Sequence, residues 1–96
     1  MSSTSLTRYV VTFHYQENSL GDINKLTSTL TEAGFSATLN DDEGKVHELG
    51  TNSFGIVSTL EDREIREMAE GFGQIALGDR PEVEVLQWEA YRQRDK

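Results

Sequence analysis

The alternation of apolar and polar positions is strongest at Arg8-Tyr9-Val10-Val11-Thr12-Phe13-His14-Tyr15. Tyr9, Val11, Phe13 and Tyr15 fall at two-residue spacing on one face of a strand, with Val10, Thr12 and His14 on the other. Both faces look half buried and an amphipathic helix follows, so the stretch predicts the inner strand of the only sheet. From residue 20 the period lengthens. Leu20, Ile23, Leu26, Leu30 and Ala33 share one arc, Ser19 stands where it can cap, and Asp22 suits the positive helix end. Gly34 then takes the position that favours positive φ, which predicts a helix over 20–33 with Leu26 facing the sheet.

Phe35-Ser36-Ala37-Thr38-Leu39-Asn40 alternates again and runs into the turn-rich Asp41-Asp42-Glu43-Gly44. Residues 45–49 and 53–58 are both extended in pattern, so 41–52 is either a hairpin excursion or the lengthened ends of strands two and three. Ser58 with Glu61, or Thr59 with Asp62, offers a capping box for a second helix. Its face would hold Ile65, Met68, Ala69, Phe72, Ile75 and Ala76, with Gly71 and Gly73 loosening its last turns and Gly78 and Pro81 ending it. Residues 82–87 read as the last strand and 88–96 as a polar tail anchored by Trp88 and Tyr91. The order strand, helix, strand, strand, helix, strand predicts an α+β, ferredoxin-like βαββαβ sandwich. Its sheet would be four-stranded and antiparallel, with strand one beside strand three and two helices on one face. Residues 8–88 form the single domain, between a disordered tail over 1–7 and the polar tail over 89–96. Val11 and Phe13 are expected to pack against Leu26, Leu30 and Phe72.

Composition narrows the picture. The 96 residues are enough for one core, and the absence of Cys excludes a disulfide framework or a Cys-ligated zinc, which fits the cytoplasm. No apolar run approaches the ~18–20 residues of a membrane span, so no membrane association is expected. A net charge of −8 argues against tight, nonspecific binding to a nucleic-acid backbone. The acidity is even, with three basic against seven acidic residues over 1–48 and six against ten over 49–96; Arg92, Arg94 and Lys96 form the one basic cluster.

Few motifs survive inspection. Gly71-Phe72-Gly73-Gln74-Ile75-Ala76 has the letters of a dinucleotide fingerprint but sits late in a helix, without the strand before it that the motif needs. The same letters fail as an RNA-recognition motif, although Phe13, Tyr15 and Phe54 could stack bases if they faced away from the core. Core packing is the simpler use. Leu39–Gly44 lacks the spaced oxygen ligands of a calcium loop and reads as a solvated turn. His14 and His47 are the only side chains whose unperturbed pKa lies near neutrality, and His14 is the candidate for acid–base catalysis. No carboxylates or histidines stand at helical ligand spacing on a predicted cleft, so neither a metal nor a cofactor is expected, and no small-molecule ligand is indicated.

Tyr9–Tyr15, Gly34-Phe35-Ser36, Asp42-Glu43-Gly44, Leu49 and Asn52-Ser53-Phe54-Gly55-Ile56 together resemble the GhoS family, the antitoxins of type V toxin–antitoxin systems. The likeness covers about residues 8–60 well and the remainder loosely. It implies a small ferredoxin-like protein of bacterial origin, related in shape to Cas2 nucleases. It also implies sequence-specific cleavage of the message of a small membrane-active toxin, with single-stranded RNA as the partner. Arg8, Lys25 and Arg92 are then the candidate RNA-binding residues. The resemblance also places a functionally important Arg of the family's first helix at Thr27, which cannot neutralise a phosphate. Lys25 points to solvent and Thr27 lies at the edge of the apolar stripe. The competing reading is a noncatalytic ferredoxin-like regulatory or protein-interaction module; the oligomeric state, a homodimer included, stays open.

Overall fold

The computed structural model describes residues 6–15, 20–41, 43–50 and 52–94. The first five residues of the expected tail, the Ser19 cap, Asp42 and Lys96 lie outside them, as does the side chain of Arg94. In chain order the elements are β1 (Thr7–His14), α1 (Leu20–Glu32), β2 (Thr38–Asn40), β3 (Val46–Glu48), β4 (Ser53–Ser58), α2 (Asp62–Leu77), β5 (Glu82–Gln87) and α3 (Trp88–Arg94). The chain is mixed α and β with antiparallel pairing throughout, and no helix among the described residues is long and apolar enough to cross a membrane.

β1 is the inner strand, antiparallel to β4 on one side and β5 on the other, so that Val11 lies opposite both Phe54 and Val85. Its two-residue period sorts the molecule into two faces. Tyr9, Val11 and Phe13 join Phe54, Val83 and Val85 under α1 and α2, whose Leu26, Leu30, Ile65 and Ala69 complete this core; Phe72 packs at its margin. Phe13 and Phe54 meet edge to face, with centroids 5.9 Å apart and planes at 82°. Tyr15 packs at the margin of the same core, and its hydroxyl donates to Asn52 Oδ1 at 3.0 Å. All three aromatics thus serve the fold on the helical side, not an open sheet face.

The expected fourth strand does not form as such. The sheet has three strands in the order β4-β1-β5, and β2 pairs instead with β3 in a separate hairpin, joined to the main sheet by a single bridge between Ser36 and Gly55. Two contacts explain the departure. Gly55 carries no Cβ, and one placed there would stand 2.5 Å from Leu39 Cγ, so the chain can fold across β4 and bury Leu39 on it. At the hairpin tip the Asp41 carboxylate accepts the N–H groups of Glu43 and Lys45, both at 2.9 Å. Of the two readings of 41–52, the hairpin is the one adopted.

The second face of β1 is therefore covered too. Val10 packs with Leu39, Leu49 and Trp88, and Tyr91 lies against them. The segment expected to be a polar tail is helix α3: Trp88 is only 2 % exposed, and the Tyr91 hydroxyl donates to the Leu49 carbonyl at 2.8 Å. Helix α2 departs from expectation at its start and in the role of Gly73. Its N-cap is Glu61, whose N–H donates to Glu64 Oε1 at 3.0 Å, while the Ser58 hydroxyl is taken by the Leu60 N–H in the turn before it. Gly73 does not loosen the helix: a Cβ there would sit 2.6 Å from Pro81 and 3.0 Å from Phe13, so it marks a close approach. The helix runs on to Leu77 and ends at Gly78 as expected. Ile75, expected on the buried face, is exposed.

Candidate functional site

The hairpin, the start of β1 and α3 bring four polar or charged groups of interest together. Asp41 leaves β2 with one carboxylate oxygen closing the turn and the other accepting a hydrogen bond from His47 Nε2 on β3 at 2.9 Å. The carboxyl is pulled from its ordinary 3.8 to about 2, first by the His47 hydrogen bond and then by the Lys45 N–H, with partial burial opposing. It is therefore ionised across the physiological range. The Asp41 side chain is 9 % exposed and that of His47 36 %. Beneath, the His47 ring meets Trp88 edge to face at 5.3 Å, and the Arg92 guanidinium lies over the same indole at 5.5 Å. Arg8 reaches the group from β1, its guanidinium donating to the Asn40 carbonyl at 2.7 Å, one residue before Asp41. Glu89 of α3 stands 4.0 Å from Arg8.

This arrangement can present an imidazole of fixed orientation on the face that also carries Arg8 and Arg92. A carboxylate at Nε2 sets the tautomer, because it can only accept, and leaves Nδ1 as the second nitrogen of the ring. Buried Trp88 supports the cluster from below; its Nε1–H is enclosed and has no hydrogen-bond partner among the described residues.

His14 lies elsewhere. Arg8, Val10, Thr12 and His14 share one side of β1, but His14 is six steps along the strand from Arg8, about 20 Å. His14 is 54 % exposed and 3.5 Å from Glu84 on β5, at the mouth of a cleft of about 290 Å³. Asp22, Asp79 and Glu82 line that cleft against a single arginine, Arg80, which is itself held by Glu70 at 2.9 Å. Three carboxylates make it a poor seat for a phosphate. Lys25 sits on the opposite, helical side, in a shallow groove with Ser28, Thr29 and the exposed Ile75. Thr27 is exposed on the same helix, its carbonyl accepting the Thr31 hydroxyl at 2.6 Å. The fold thus unites Arg8 with Arg92 and separates both from Lys25, Thr27 and His14. Among the described residues no three His, Cys, Asp or Glu side chains gather as a metal site would require.

Sequence reasoning passed over Asp41 as part of a solvated turn. Its carboxylate binds mainly backbone N–H groups, which leave no side-chain pattern; the one signal was the six-residue spacing to His47 across a Gly-containing turn.

Comparison with known proteins bears on the family of the whole chain. The family model described as "Endoribonuclease GhoS" matches residues 1–94. Two curated relatives, each called "Uncharacterized protein YdiZ", come from Escherichia coli strain K12 and from Escherichia coli O157:H7. Each is 46 % identical over 96 residues, covering the whole of both chains. The family match and the full-length identity agree with the motifs around β1 and β4: the chain belongs to the GhoS endoribonuclease family.

Proposed function

We propose that this chain is an endoribonuclease of the antitoxin type, cleaving the single-stranded message of a small membrane-active toxin in the cytoplasm, and that it takes the RNA on the hairpin and α3 face. The observation that carries the reading is the run of contacts from Arg8 through Asn40, Asp41, His47 and Trp88 to Arg92. Two arginines and an oriented imidazole on one face support it, since in-line attack at phosphorus needs both cation and proton acceptor. Cleavage of this kind needs no cofactor beyond the side chains. The strand order around β1, with Ser36 bridging to β4, supports a ferredoxin-like sandwich whose second strand has peeled away to build this face.

The test is cleavage of a mixed-sequence single-stranded RNA by the purified protein in EDTA, beside Arg8→Ala and Arg92→Ala. Cleavage by the wild type, with KM raised several-fold in each variant, is the expected result. A protein that binds the RNA and leaves it intact would make it a noncatalytic interaction module instead. Unchanged KM in both variants would move the RNA to another face.

A further inference from the structure

We infer that His47 is the catalytic acid–base residue of this chain and that Asp41 is its positioning residue. The inference rests on the endoribonuclease reading above. Of the two histidines, only His47 has a carboxylate at hydrogen-bond distance, 2.9 Å against 3.5 Å between His14 and Glu84. Only His47 shares its face with two arginines, Arg8 held at the Asn40 carbonyl and Arg92 over the Trp88 ring that His47 also touches. Its ring is fixed twice, by Asp41 at Nε2 and by the edge-to-face contact with Trp88, while its side chain keeps one-third of its surface open to a substrate.

Nε2 carries the proton shared with Asp41, so Nδ1 of the neutral ring is the nitrogen that accepts. It takes the proton of a ribose 2′-hydroxyl, and the freed oxygen attacks the adjacent phosphorus. The O2′–P bond forms and the P–O5′ bond breaks. The departing 5′ oxygen takes a proton from water, and the hydroxide so formed is neutralised by the imidazolium, which returns the ring to its starting state. The products are a 2′,3′-cyclic phosphate and a 5′-hydroxyl. Arg8 and Arg92, on the same face, neutralise the charge that builds on the phosphoryl oxygens. Thr27, on the far side of the sheet, takes no part.

His47→Gln and Asp41→Asn separate chemistry from folding. A Gln amide can still donate to Asp41 but cannot exchange a proton. At position 41 an Asn amide oxygen can still accept the N–H groups of Glu43 and Lys45, while its NH2 donates to Nε2 and forces the proton onto Nδ1. Both proteins should keep the wild-type far-ultraviolet signature and a cooperative unfolding transition. In the RNA assay in EDTA, His47→Gln should lower kcat at least about a hundredfold, the usual loss when a general base is removed, with KM little changed. Asp41→Asn should lower kcat about tenfold or more at constant KM, and the wild-type products should end in 2′,3′-cyclic phosphate. Wild-type cleavage matched by His47→Gln would overturn the inference and leave the endoribonuclease reading standing. A tenfold gain in Thr27→Arg alongside full activity of His47→Gln would do the same and place the chemistry on α1. No cleavage by the wild type would overturn both.

Discussion

Phe13 is the side chain on which the helical core closes, for it meets Phe54 edge to face from β1 and leaves room for Gly73 of α2 above it. Truncation to Ala should cost about 3–5 kcal/mol, a large share of the stability of so small a domain. A loss below about 1 kcal/mol on denaturant titration would contradict the packing. Gly73→Ala tests the same contact from the other side. Its methyl would overlap Pro81 and crowd Phe13, so a substitution that ordinarily stabilises a helix should here destabilise by about 1–3 kcal/mol. The alternation of Tyr9, Val11 and Phe13 made the first of these contacts legible in the sequence, because a strand period survives in a single segment. The role of Gly73 did not show: a glycine in a helix reads as weakness until the strand and proline it faces are known.

The β2–β3 hairpin is the element whose placement decides the candidate site, and Asp41 holds its turn. A carboxyl with a depressed pKa stabilises the fold fully above its unfolded value and loses that contribution as pH falls through the folded one. For Asp41 the window runs from 3.8 down to about 2, where the bonds to His47 and to the Lys45 N–H are lost together. His47 from β3 faces this carboxyl directly and its hydrogen bond is the largest cause favouring the ionised form, while Arg8 from β1 reaches the carbonyl of the preceding residue. Amide exchange at Lys45–Glu48 should therefore quicken over that window ahead of β1, and Asp41→Asn should flatten the difference. Equal exchange of hairpin and β1 at every pH would show that Asp41 does not hold the turn. The hairpin and α3 were the least legible parts of the sequence. Leu39, Leu49, Trp88 and Tyr91 are scattered singly among polar neighbours, and they become a face only against the reverse side of β1, at Val10. The same scattering hid the candidate site, since Asp41, His47, Arg92 and Arg8 come from four elements and no short motif contains them.

At the scale of the whole molecule, a chain of net charge −8 must attract RNA locally or not at all. Arg8 and Arg92 lie on one face, Lys25 on the other, and the cleft at His14 is lined by carboxylates. Two phosphate contacts on a single strand imply a slope of about −1.4 in log affinity against log salt, and removing either arginine should reduce it by about 0.7. Binding that ignored salt would point instead to base stacking, for which the described aromatics, packed into the two cores, offer little surface. The family to which the chain belongs is shown by a match along nearly its full length, and the face it uses is our proposal from its own geometry. That claim is tested most directly by titrating a 2′-O-methyl single-stranded oligonucleotide, which can bind but not be cleaved, into isotope-labelled protein and mapping the amide shifts. The proposed site predicts that the largest changes fall at Arg8, Asn40–Asp41, Lys45–Glu48 and Trp88–Arg92. Shifts centred instead on Lys25, Thr27 and Ile75, or on His14 and Arg80, would contradict it.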